Sequence, residues 1–195
     1  MITNPSVTPK PHRLSIATLQ KRFNTIEKFV QWTPNDGYKY EWVNGDIERI
    51  NAMQNTERHI VDNLSRCFTQ TNAYNLLASL LPETRCLISP YQVRIPDLAY
   101  FTRQQMVESA NGNEPIPMFV IEIISANDSI NAVNQKLKEY FDAGVQVVWH
   151  IFPQQQLVYV YKSVKNVFIA SDDDMCTAQP ALPDFSIKAK DIFSI

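Results

Sequence analysis

Residues 118–124 read Met-Phe-Val-Ile-Glu-Ile-Ile, an apolar run broken once, by Glu122. A short run of this kind suits a strand covered on both faces, because a half-solvated strand alternates apolar and polar residues. Ionised carboxylates are costly to bury unless a cation or hydrogen bonds compensate them. The run therefore requires an interior sheet position and, near Glu122, a cation or hydrogen-bond donors.

The flanking segments supply the rest of an α/β pattern. Residues 125–144 place Ile130, Val133, Leu137, Tyr140 and Phe141 at helical intervals, with Gly144 at a suitable stop. Ser125 is the expected N-cap of that helix. Upstream, Ile16, Leu19, Phe23, Ile26 and Val30 predict a helix over 14–30, capped by Ser15. Asn44-Gly45 between 38–43 and 46–50 predicts a hairpin. A second helix is expected over 56–81, broken near Asn72 and stopped by Pro82. Strands are expected over 85–89 and 92–101, the latter bulged or at an edge because Pro96 cannot donate to a ladder. Residues 102–117 read as loop with some helix, and further strands fall at 146–152, 156–162 and 167–170. The order predicts an α/β domain over 14–195, a mixed sheet flanked by helices with an N-terminal helix and hairpin. Residues 1–13, polar and proline-rich, read as a flexible tail.

Composition excludes several classes. Hydrophobic residues make up 45% and charged residues 19%, enough for a core and too little charge for a disordered chain. No run approaches a membrane span, and the N-terminus lacks the apolar region of a signal peptide. Cys67, Cys86 and Cys176 fit neither a zinc template nor a closed disulfide framework; three reduced thiols, two of them buried, point to the cytoplasm. The formal net charge of −2 gives no global field for nucleic acid, so any such substrate must meet a local basic patch.

Three residues carry the candidate chemistry. Asp97 shares a strand face with Val93, Ile95, Ala99 and Phe101, so a second carboxylate sits among apolar neighbours. Two such carboxylates repel, and a divalent cation resolves the repulsion; hard oxygen ligands suit Mg²⁺ or Mn²⁺. At roughly 100° per residue, Lys136 falls beside Val133 and Tyr140, whereas Lys138 lies roughly 200° further round, in solvent. Two carboxylates, a metal and a lysine suit phosphodiester hydrolysis.

The chain resembles the Uma-two family, within the PD-(D/E)XK restriction-endonuclease-like superfamily, from about residue 14 to residue 193. The matching pieces are Tyr40-Glu41-Trp42-Val43-Asn44-Gly45, His59, Arg94-Ile95-Pro96-Asp97 and Val120-Ile121-Glu122-Ile123-Ile124-Ser125. They continue with Lys136-Leu137, Tyr140, Ala143-Gly144-Val145, Trp149, Leu182-Pro183-Asp184-Phe185 and Asp191-Ile192-Phe193. The resemblance implies a restriction-endonuclease-like core, with Asp97 and Glu122 as metal ligands and DNA as the favoured nucleic-acid substrate. Lys136 would replace the superfamily lysine that normally stands two residues after the glutamate, where this chain has Ile124. Ala126 and Ala132 depart from the family's usual Pro and acidic residue. Cutting both strands of a duplex needs two sites, which a homodimer would supply, although the sequence does not show one.

Other readings stand beside these. The trio could be a structural ion cluster, and the protein an inactive nuclease-fold module that binds nucleic acid or protein, or a hydrolase of small phosphoesters. Glu41 is read either as a fourth site residue that orients Lys136 or reaches a second metal, or as a solvent-facing hairpin carboxylate. His59 is read as a phosphate contact or proton shuttle, or as a capping histidine. Arg94 is expected on the opposite strand face from Asp97, where a surface role, a substrate-phosphate contact and a catalytic role all stand open. Asp172–Asp174 read as a solvated loop, and Trp42, Tyr140 and Trp149 as core.

Overall fold

The computed structural model describes residues 14–50 and 53–195; the expected tail at 1–13 lies outside the described residues. The chain opens with α1 (Ile16–Arg22) and α2 (Ile26–Val30), then the strands β1 (Lys39–Val43) and β2 (Asp46–Ile50). Next come α3 (Arg58–Phe68), α4 (Asn72–Asn75) and the strands β3 (Ser79–Pro82), β4 (Cys86–Ser89), β5 (Gln92–Arg94) and β6 (Leu98–Phe101). Then follow α5 (Arg103–Ala110), β7 (Phe119–Ile123), α6 (Ile130–Ala143), β8 (Val147–Phe152), β9 (Leu157–Ser163) and β10 (Asn166–Ala170). The chain closes with β11 (Met175–Thr177), β12 (Ser186–Lys188) and α7 (Ala189–Ile192).

Six strands form the main sheet in the order β10-β9-β8-β7-β6-β3, with β7 and β8 parallel and the other neighbours antiparallel. A parallel pair needs a crossover, and α6 is that crossover. A second sheet, β2-β1-β5-β4, is wholly antiparallel, and β11 pairs with β12. All five residues of β7 are buried, as the apolar run requires. Phe119 and Ile121 pack on one face with Ile60, Leu64, Trp149 and Phe185. Val120 packs on the other with Leu137, Tyr140 and Val148. The two-residue period then points Glu122 toward α6. A third cluster joins Leu19, Phe29, Tyr40 and Trp42, seating α1 and α2 on the smaller sheet.

The hairpin forms as expected, with Asn44 and Gly45 both at positive φ (51° and 102°), as a tight primed turn demands. Gly144 ends α6 in the left-handed region (φ 103°), where a side chain would be strained. Four expectations are corrected. The helix over 14–30 is two helices, because the Thr25 side chain accepts the Lys28 amide and starts a new turn. Residues 79–82 are an edge strand, where Pro82 is tolerated; the apolar run from Leu76 to Leu81 fits either period. The strand over 92–101 splits at Ile95-Pro96-Asp97, and its two halves join different sheets. The cap of α6 is Ser129, not Ser125: Ser129 Oγ accepts the Ala132 amide, while Ser125 lies in a turn closed by Asp128.

Candidate active site

Each site residue reaches its place through a local feature of the chain. Proline at 96 ends the β5 ladder, so the backbone crosses from one sheet to the other and Asp97 is left at the seam. Its Oδ2 accepts the Ile123 amide at 2.7 Å, which fixes it against the end of β7. Glu122 points to α6, where Tyr140 donates its hydroxyl to Oε1 at 2.6 Å. Lys136 stands one turn earlier on the same helix face, with Nζ 3.8 Å from Glu122 Oε1 and 3.0 Å from Glu41 Oε1.

Glu41 is 0% exposed, and the reading of it as a solvent-facing carboxylate is overturned. Its Oε1 also accepts the Ile95 amide at 2.9 Å, and its Oε2 accepts Arg94 Nη1 at 2.8 Å. Arg94, only 3% exposed, is neither at the surface nor aimed at a substrate phosphate. Its Nε and Nη2 donate to Glu139 Oε2 at 2.8 and 2.6 Å, and Gln135 donates to Glu139 Oε1 at 2.7 Å. Alternation holds for Arg94, which faces away from Val93 and the cluster of Tyr40 and Trp42; it is buried because α6 covers that second face of the smaller sheet.

Asp97, Glu122, Lys136 and Glu41 all line one cavity of about 580 Å³, closed on other sides by the second hairpin strand, the 123–128 turn and His150. His59, on the first turn of α3, is not among the residues that line it. Lys138 faces solvent as expected and pairs with Asp142. Tyr140, Trp42 and Trp149 are core, although Tyr140 also serves Glu122.

The electrostatics are those of crowded, desolvated acids. Burial, followed by the Glu122 charge, pushes the Asp97 carboxyl up to about 8. Burial also raises Glu122, against the pull of Lys136. Lys136 is desolvated as well, yet the Glu122 and Glu41 charges together raise it, so it stays protonated. His150, on β8 beside Glu122 in register, is pushed down to about 4, chiefly by burial, and is a neutral imidazole at neutral pH.

Among the described residues, no group of three or more His, Cys, Asp and Glu is placed to hold one ion. Asp97 and Glu122 could therefore supply only part of a coordination shell. This fits Mg²⁺, which commonly takes one or two carboxylates and keeps several waters. Glu139 and His150 are site residues that sequence reasoning missed. Glu139 lies three residues from Lys136 on the same helix face, and His150 interrupts an apolar strand as Glu122 does. Both signals were present in the chain.

Helices on both faces of a mixed sheet, with acids and a lysine converging at the end of a central strand, define a nuclease-like α/β fold. The chain belongs to the Uma2 family: the family model described as "Putative restriction endonuclease" matches residues 26–190. It is similar to a crystal structure from Anabaena variabilis described as "a putative nuclease belonging to DUF820". The two share 20% identity at a TM-score of 0.74, over 87% of this chain and 97% of the other, a likeness of fold. No curated protein matches the chain. No described helix is long and apolar enough to cross a membrane.

Proposed function

We propose that this protein is a divalent-metal-dependent endonuclease that hydrolyses nucleic-acid phosphodiester bonds, with DNA the favoured substrate. Asp97 and Glu122 hold Mg²⁺ or Mn²⁺, and Lys136 serves the attacking water. One observation carries the reading. Four carboxylates (Asp97, Glu122, Glu41 and Glu139) meet two cations (Arg94 and Lys136) in one desolvated cluster, so 4 − 2 leaves two negative charges uncompensated when all are ionised. Protonating Asp97 relieves part of that imbalance. A divalent cation relieves all of it and keeps both ligands ionised at neutral pH.

Such an ion, when bound, polarises a phosphoryl oxygen and lowers the pKa of its water. Glu41 holds the Lys136 ammonium at the cavity wall, where it can orient that water or offset charge on the phosphoryl group. Arg94 and Glu139 fix Glu41 in turn. Three free thiols, two of them buried, support a cytoplasmic setting.

The rival reading, a non-catalytic module on the same fold, draws on the cavity's lining. Six acids (Glu41, Glu48, Glu57, Asp97, Glu122 and Asp128) stand there against Arg49 and Lys136. Calorimetry with Mn²⁺ separates the two. Binding to the wild type that disappears in Asp97→Ala is expected. Folded wild-type protein that takes no Mn²⁺ at millimolar concentration, while binding a DNA duplex equally with chelator and after Asp97→Ala, would establish the module instead. With metal and substrate in hand, Lys136→Ala should lose about 10²-fold or more in kcat while Mn²⁺ affinity holds or tightens, since a competing cation has gone.

A further inference from the structure

The strand β10 is the outer edge of the main sheet, and it is not built like an edge that faces water. Natural edges are blunted by charge, proline or a covering element, because their free N–H and C=O groups invite another strand. Here the strand reads Asn-Val-Phe-Ile-Ala. Val167, Phe168 and Ile169 are 42%, 50% and 49% exposed, so both faces of the strand are apolar and open. Val164, in the turn before it, is 49% exposed. None of the described hydrogen bonds from residues outside β9 reaches the backbone of β10.

We infer that this edge pairs with the β10 edge of a second copy of this chain, antiparallel about a two-fold axis at Phe168. Three features select a second copy. An exposed ladder of backbone donors and acceptors is satisfied in full only by another strand, and an antiparallel pair of identical strands is self-complementary under a two-fold axis. The side chains match under that axis: Val167 of one copy meets Ile169 of the other on one face, and Phe168 meets Phe168 on the other. No Lys, Arg, Asp or Glu lies within the strand to oppose the pairing.

The pairing has a consequence for the cavity, which rests on the nuclease reading. Glu122, His150, Tyr159 and Ile169 are register partners from β7 to β10, so one row of residues runs from the site to this edge on a single sheet face. A two-fold axis normal to the joined sheet at Phe168 makes that face continuous from one copy to the other, rotated strand by strand by the sheet twist. The two Glu122 residues are then seven strand spacings apart, about 34 Å at ~4.8 Å each. That is about one turn of a DNA duplex. The pairing thus sets the spacing of the two cavities along the joined sheet, while the twist of the sheet turns their openings apart.

Sedimentation velocity on the full chain, without metal or substrate, tests the pairing. The wild type should sediment at twice the 22.4 kDa chain mass at 10–100 µM or so. Val167→Lys with Ile169→Lys should weaken dimerisation at least 10-fold while leaving the far-ultraviolet circular dichroism unchanged. Leu76→Lys with Leu77→Lys, exposed residues before the opposite edge strand, should remain dimeric. A wild type of single-chain mass throughout, a dimer that survives the β10 changes, or one lost through the Leu76 and Leu77 changes would each overturn the inference. So would a single-chain wild type that engages a single-stranded oligonucleotide through β10. Because mass is read without catalysis, loss of the nuclease reading and loss of the dimer are separate results.

Discussion

Asp97 carries an unusual burden for a side chain with one backbone hydrogen bond. Its carboxyl titrates near 8 in the folded chain against 3.8 ordinarily, so between those values the folded state holds a proton that the unfolded state has released. Stability attributable to Asp97 therefore falls as pH rises from about 4 to about 8. Asp97→Asn keeps an oxygen for the Ile123 amide and removes the titration. In chelator, the variant should gain on the wild type as pH rises, by of order 2–4 kcal/mol at pH 8, in thermal unfolding scans from pH 5 to 9. Equal melting temperatures across that range would show that Asp97 is well solvated. Added Mn²⁺ should reverse the ranking, since ligand binding stabilises only the chain that retains the carboxylate.

At the scale of elements, α6 does most of the positioning. It brings Lys136, Glu139 and Tyr140 to one face, two of them spaced three and four residues from the first. Its start is set by Ser129 and its end by Gly144. Ser129→Ala should cost about 1 kcal/mol in denaturant unfolding, while Ser125→Ala should cost a few tenths at most. The reverse ranking would place the cap where the sequence first suggested it. The misplacement has a simple cause: both serines precede an apolar periodic stretch, and Asp128 closes the Ser125 turn before the helix begins. The same competition between local polar side chains and helix divides α1 from α2 at Thr25.

For the molecule as a whole, Arg94 is the joint. It sits at the end of the smaller sheet, holds Glu41 of the hairpin and reaches Glu139 on the helix that crosses over the main sheet. Arg94→Ala would leave buried Glu139 without a cation and Glu41 with Lys136 alone, and should destabilise the fold by about 3–5 kcal/mol in urea. It should also weaken cooperativity between the sheets, read as a lower m-value or as unfolding that differs between probes. A loss under 1 kcal/mol would mean that water reaches the cluster and Arg94 joins little.

The sequence by itself determined what depends on neighbours along the chain. A nearly unbroken apolar run marked the buried strand and set Glu122 as its exception; helical spacing turned Lys136 inward and Lys138 outward; Asn44-Gly45 fixed the hairpin. The cost of burying charge singled out Asp97 and Glu122 as acids in need of compensation. Only the tertiary structure decided that Glu41 is buried, that Arg94 turns inward, and that the strand through Pro96 serves two sheets. Those outcomes rest on partners far apart in sequence: Arg94 meets Glu41 across 53 residues and Glu139 across 45. No local period encodes such a meeting, because pairing among distant segments is chosen by the burial and charge balance of the whole chain.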